Sequence, residues 1–215
     1  IEPVIPWIRV LYAFPGEISQ DLISLFKNEP RILPYLDIPL QHAHPAILRA
    51  MRRPADIESV KNLLDDLKAQ IPHIAIRTTF IVGFPGEGFA EFETLLKFVD
   101  SMRFDRVGIF PYYPEQGTSS INLDDTTAQS EKERRVSELA ALQESISLDL
   151  NRSLIGEEID VLVEGFSSGM SVARSYRDAP EIDGLVFIRS KLEVGELFRV
   201  RVTDALVHDL NAELV

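Results

Sequence analysis

A change of period partway along the chain limits the architecture more than any single residue does. As far as about residue 112, short β-rich runs alternate with amphipathic helical stretches, the order expected of strand–helix units around a parallel sheet. Beyond Gly156, strands follow one another with only turn residues between them. The predicted strands of the first part are Trp7–Ala13, Tyr35–Leu40, Ile74–Gly83 and Asp105–Tyr112. Between them, Glu17–Asn28 aligns Ile18, Leu22, Ile23 and Phe26 on one face, and Asp56–Gln70 aligns Val60, Leu63, Leu64 and Leu67. Phe89, Phe92, Leu95, Leu96 and Val99 form a third stripe. A closed eightfold barrel takes about 250 residues, so four units in about 110 predict a partial (β/α) barrel or an open sheet.

A long helix is predicted from about Thr127 to Asn151, with Val136, Leu139, Leu142, Ile146 and Leu150 at helical spacing and packing as its role. The tail strands are Glu158–Phe166, Met170–Tyr176, Leu185–Ile188 and Leu197–Asp204, which predict a small all-β barrel of OB-like type. The domains are therefore placed at 1–152 and 153–215, and are expected to unfold in two separate transitions.

The 215 residues contain no cysteine, which removes disulfides, thiolate zinc sites, cysteine nucleophiles and thiolate ligation of an iron–sulfur cluster by this chain. No apolar run approaches the roughly 20 residues of a bilayer span and no secretory signal opens the chain, so a cytoplasmic location and no membrane partner are expected. The chain starts with Ile1 rather than Met, and its first apolar run, Trp7–Ala13, needs strand neighbours on both sides, which leads us to expect a piece of a longer protein. The net charge of −12 argues against a nucleic-acid partner, because phosphate binding draws on clustered Lys and Arg.

Three stretches fall where strands hand over to loops, the end at which parallel α/β folds bind ligands. In Asp37-Ile38-Pro39-Leu40-Gln41-His42-Ala43-His44, Pro39 is unusual for a strand; Gln41 and His42 are candidate ligand contacts, or the run is a capping loop in which His44-Pro45 starts a helix. A His42–His44 metal pair lacks further ligands at suitable spacing. In Arg77-Thr78-Thr79-Phe80-Ile81-Val82-Gly83-Phe84-Pro85-Gly86-Glu87, Arg77, Thr79, Ile81 and Gly83 share one face, and Arg77 needs either a ligand carboxylate or one from a neighbouring strand. Phe110-Pro111-Tyr112-Tyr113-Pro114-Glu115-Gln116-Gly117-Thr118 offers aromatic rings that flank a planar ligand or fill the barrel mouth.

Taken with Met51-Arg52-Arg53, these stretches resemble the radical S-adenosylmethionine (SAM) methylthiotransferases over nearly the whole chain, and the β-rich tail resembles the TRAM domain of that family. Gln41-His42-Ala43, Asp178–Gly184 and His208-Asp209-Leu210 resemble the branch that modifies a ribosomal protein; the transfer-RNA branch reads Gln-Ser-Gly at the first of these places. The resemblance implies a radical-SAM partial barrel followed by a TRAM domain. It implies addition of a methylthio group to the β-carbon of an aspartyl residue in a small-subunit ribosomal protein, with SAM and [4Fe-4S] clusters as cofactors. The cluster cysteines of the family are absent here, so the chain by itself is expected to be inactive. As implied by the resemblance, Gln41, Arg77, Thr79, Ile81, Gly83, Phe110 and Tyr112 face SAM or the substrate, and His42 is a candidate catalytic proton carrier. Thr79, Ile81 and Gly83 match the family's Gly-x-Ile-x-Gly-x-x-Glu pattern with Thr in the first place; the acid comes one position late, at Glu87, where it either completes the motif or caps the next helix. The tail carries seven basic and twelve acidic residues from Asn151 onward, which suits a basic protein substrate docked through the TRAM domain. The alternatives are a transfer-RNA adenosine methylthiotransferase and a non-catalytic substrate-docking module.

Overall fold

In the computed structural model, which describes residues 5–215, the first part is a four-stranded parallel sheet in the order β1-β2-β3-β4. Its strands are β1 (Ile8–Val10), β2 (Ile32–Asp37), β3 (Ala75–Val82) and β4 (Arg106–Pro111). Helices α1 (Gln20–Asn28), α2 (Pro45–Ala50), α3 (Ile57–Gln70) and α4 (Phe89–Met102) connect them, and α5 (Gln129–Arg152) follows. Side chains of Ser19, His44 and Asp56 cap α1, α2 and α3 by accepting backbone N–H bonds, with Pro45 in the first turn of α2 as the sequence predicts.

Alternation along β3 sorts its residues into two environments. Ile76, Phe80 and Val82 join Leu36, Ile38 and the apolar faces of α1, α3, α4 and α5 in one core, while Arg77, Thr79 and Ile81 stand half-buried on the opposite, concave face. Two predicted bounds move. β2 ends at Asp37, so Pro39 lies beyond the strand, where no ladder donor is required of it. β1 is three residues long, and the chain leaves it through Tyr12 at φ 57°.

The tail strands β5 (Glu158–Ser167), β6 (Met170–Ser175), β7 (Val186–Ile188), β8 (Leu197–Ala205) and β9 (Leu210–Leu214) close into a barrel in the order β5-β6-β7-β9-β8. The strand unforeseen in the sequence is β9, and it is the one that closes the barrel by bridging β7 and β8.

The two parts share an interface. Tyr176 and Ala179 of the β6–β7 connection pack with Trp7, Leu33, Tyr35 and Ala75 at the amino-terminal end of the sheet. Around this contact Arg106 pairs with Asp178 at 2.7 Å, Arg177 with Asp105 at 2.9 Å and Arg77 with Asp183 at 3.5 Å. The Tyr35 hydroxyl donates to Asp183 at 2.7 Å, and Asn151 of α5 donates to the Leu206 carbonyl at 3.0 Å. The connection packs over the face of the sheet that carries Arg77, near the amino-terminal ends of β3 and β4.

Candidate functional site

Three loops leave the carboxyl ends of β2, β3 and β4 and border two neighbouring cavities, an upper and a lower lobe. Gln41 is held at φ 72°, a left-handed conformation that a non-glycine residue adopts at a cost of about 1–2 kcal/mol. Its N–H donates to the Thr79 carbonyl at 2.8 Å and its carbonyl accepts from Ile81 at 2.9 Å, which locks the loop to β3. The upper lobe, about 550 Å³, is walled by Ile81, Phe84, Tyr112 and Tyr113, with Ser119 and Ser120 at its rim. Phe84 and Tyr112 meet edge to face at 4.9 Å. The lower lobe, about 460 Å³, is bounded by Tyr12, Pro39, Arg77, Thr79 and Ile182. Gln41, Arg53 and Phe110 line both lobes. Volumes of this size are those of small-molecule sites, and here aromatic and aliphatic walls alternate with polar groups such as Gln41, Arg53, Thr79 and Ser120.

Six of the predicted residues thus come together: Gln41, Ile81, Phe110 and Tyr112 at the upper lobe, and Gln41, Phe110, Arg77 and Thr79 at the lower one. The Arg77 guanidinium has its carboxylates within the protein, Asp37 at 3.0 Å from the neighbouring strand and Asp183 from the tail.

His42 and Gly83 line neither lobe. The His42 ring is fully buried. Its Nδ1 accepts the His44 N–H at 2.9 Å, so the proton of the neutral ring sits on Nε2, 3.8 Å from Glu87 Oε2. Burial, with lesser contributions from His44 and Arg135, pushes its pKa down to about 3, so the ring is neutral near pH 7. Gly83, at φ 73°, lies under α5: a Cβ there would come 2.4 Å from Lys132 Cγ.

Glu87 does not cap the following helix; Gly88 and Glu91 form that N-terminus. The buried Glu87 carboxylate instead accepts the N–H groups of Gly83 at 2.5 Å and Phe84 at 3.2 Å and pairs with Arg135 at 3.1 Å. Burial raises its pKa against the opposing pull of Arg135 and the two amides. Lys132, also from α5, donates to the Tyr112 carbonyl at 3.2 Å and lies over the Tyr112 ring. The helix expected only to pack therefore supplies two buried cations that hold the walls of the upper lobe. Nothing in the local pattern of α5 singled them out, because Lys132 and Arg135 read as ordinary solvated positions of a charged helix.

Comparison with known proteins shows which family the chain resembles. The radical SAM superfamily model matches residues 3–99 and the TRAM domain model residues 155–215. A protein from Roseiflexus castenholzii, named ribosomal protein uS12 methylthiotransferase RimO, is 48% identical over 97% of this chain and 44% of its own length. Proteins of the same name from Chloroflexus aurantiacus and a Thermoanaerobacter species are 46% and 44% identical. The chain spans about half the length of the curated relatives it matches. Among solved structures, coproporphyrinogen III oxidase of Escherichia coli, a radical SAM enzyme, superposes with a TM-score of 0.55 at 20% identity over 65% of this chain and 32% of its own, a likeness of fold.

Proposed function

The chain belongs to the radical SAM methylthiotransferases of the RimO type, and on that premise we propose that the complete protein carrying it attaches a methylthio group to the β-carbon of an aspartyl residue in ribosomal protein uS12. The observation that carries this reading is the pair of neighbouring cavities at the carboxyl ends of the strands, which gives a nucleoside-sized aromatic lobe a neighbour of similar volume. SAM, when bound, supplies the methyl group and, on reductive cleavage, the radical chemistry. Ile81, Phe84 and Tyr112 form the apolar walls for an adenine ring, and the Gln41 amide offers a donor and an acceptor at the junction of the lobes. Thr79 and Arg77 give the lower lobe its polar side. His42 and Glu87, enclosed behind the loops, serve as positioning residues. The chain supplies no thiolate for an iron–sulfur cluster, so no step is assigned to one here.

The tail favours a protein substrate over RNA. Burial removes Arg174, Arg177 and Asp178 from the surface of the tail, which leaves five basic residues against eleven acidic ones. An acidic surface steers a basic ribosomal protein and repels phosphates. The test offers the complete enzyme, clusters reconstituted anaerobically with SAM and reductant, a uS12 peptide and a transfer-RNA anticodon arm side by side. We expect mass gain of a methylthio group on the peptide alone; modification of the RNA alone transfers the chain to the sister branch.

A further inference from the structure

The tail reaches into one lobe and not the other. The residues lining the upper lobe all precede α5, whereas the lower lobe takes Ile182 from the β6–β7 connection beside Tyr12, Arg77, Thr79 and Phe110 of the sheet and its loops. Asp183, next in sequence, holds the connection there. Its buried carboxylate accepts the Tyr35 hydroxyl at 2.7 Å and the Ala179 N–H at 2.9 Å on Oδ2, which leaves Oδ1 for Arg77 Nε at 3.5 Å. The turn is fixed on both sides of these two residues. Glu181 stands in the left-handed region at φ 69°, and Gly184 packs so closely that a Cβ there would come within 1.9 Å of the His208 carbonyl oxygen. What this firm, strained turn presents is an isoleucine that is 55% exposed. Tyr12 and Phe110 stand exposed on the same lobe, so a ligand that covers all three gains apolar burial without any ordering of the turn.

We propose that the tail forms part of the cavity itself, with Ile182 touching the uS12 segment that carries the target aspartate and Asp183 acting as the positioning residue that fixes Ile182 and Arg77 relative to that segment; this rests on the function proposed above. The aromatic walls of the upper lobe suit adenine, which leaves the lower lobe to the peptide. The tail then selects substrate at the reacting end, in addition to any steering by its acidic surface.

The complete enzyme with reconstituted clusters is studied anaerobically as wild type, Ile182→Ala, Ile182→Leu and Asp183→Asn, by steady-state kinetics on a uS12 peptide, equilibrium dialysis of SAM and thermal melts. Because Ile182 is exposed, Ile182→Ala is expected to melt with the wild type. We expect it to raise KM for the peptide roughly 5- to 20-fold with SAM binding unchanged, and Ile182→Leu to recover most of the loss. Asp183→Asn keeps the size of the side chain and removes the charge that faces Arg77, and is expected to raise KM for the peptide and lower kcat together, again with SAM binding unchanged. A wild-type peptide KM in Ile182→Ala, or SAM binding weakened as much as the peptide, overturns the proposal even if Asp183→Asn does not fold. Wild-type kinetics in Asp183→Asn overturn the positioning role. A wild type that leaves the peptide unmodified refutes the function proposed above and this assignment with it, whereas active variants with an unchanged peptide KM refute this inference alone.

Discussion

The side chain of His42 illustrates how far residue type and residue behaviour separate. The unfolded imidazole takes a proton near its ordinary value of 6.5, while the folded ring resists until about 3, because burial penalises the charged form. Between these values the unfolded chain binds the extra proton, so acidification from about pH 6.5 toward 3 favours unfolding through this group. Glu87, with its pKa raised, pulls in the opposite direction above the ordinary carboxylate range. A His42→Asn variant is therefore expected to lose less stability than wild type between pH 6.5 and 4.5, measured by thermal melts; parallel melting curves would refute it. Thr79 and Ile81 were legible because alternation along a strand fixes which face a side chain takes, and Gln41 because it falls where β2 hands over to a loop. The enclosure of His42 and the partners of Arg77 were not, because both depend on chain segments far away in sequence.

Among the elements, α5 was legible as a helix from its apolar spacing, but its work was not. Lys132 and Arg135 support the walls of the upper lobe only because the first turns of α5 pack beside the carboxyl ends of β3 and β4 while Gln143, further along, meets Phe104 at the other end of β4, a direction of packing that its own period does not contain. Gly83 makes the contact testable. A Gly83→Ala variant meets both a left-handed backbone and the Lys132 stem, and is expected to cost about 2–4 kcal/mol. A Gly86→Ala variant, at φ 90° with no atom within 4 Å of the new Cβ, is expected to cost about 1–2 kcal/mol. Denaturant melts of the two variants check the difference. The missed strand β9 has a related cause. Leu210-Asn211-Ala212-Glu213-Leu214 alternates apolar and polar but is short and has no β-branched or aromatic residue, and it becomes a strand by pairing parallel to β7 and antiparallel to β8.

For the whole molecule, the expectation of two separate unfolding transitions gives way to one. Buried ion pairs and a shared apolar cluster tie the tail to the amino-terminal end of the sheet, and removing one side of a buried pair leaves a charge without compensation. We expect a single calorimetric transition for the wild-type chain. The Asp178→Ala variant, which strips Arg106 of its closest carboxylate, is expected to lose about 3–5 kcal/mol or to split the transition in two. Two transitions in the wild type would restore the picture of independent domains.

The sequence by itself determined the alternation of strands and helices in the first part, the change to strands and turns in the tail, the face each β3 residue takes and the three loops that border the candidate site. These are local consequences of side-chain period, turn chemistry and capping. Only the tertiary structure decided that the lobes meet at Gln41, Arg53 and Phe110, that α5 holds the walls of the upper one and that the tail packs over the face carrying Arg77, because each joins segments separated by tens of residues and follows from what is desolvated together.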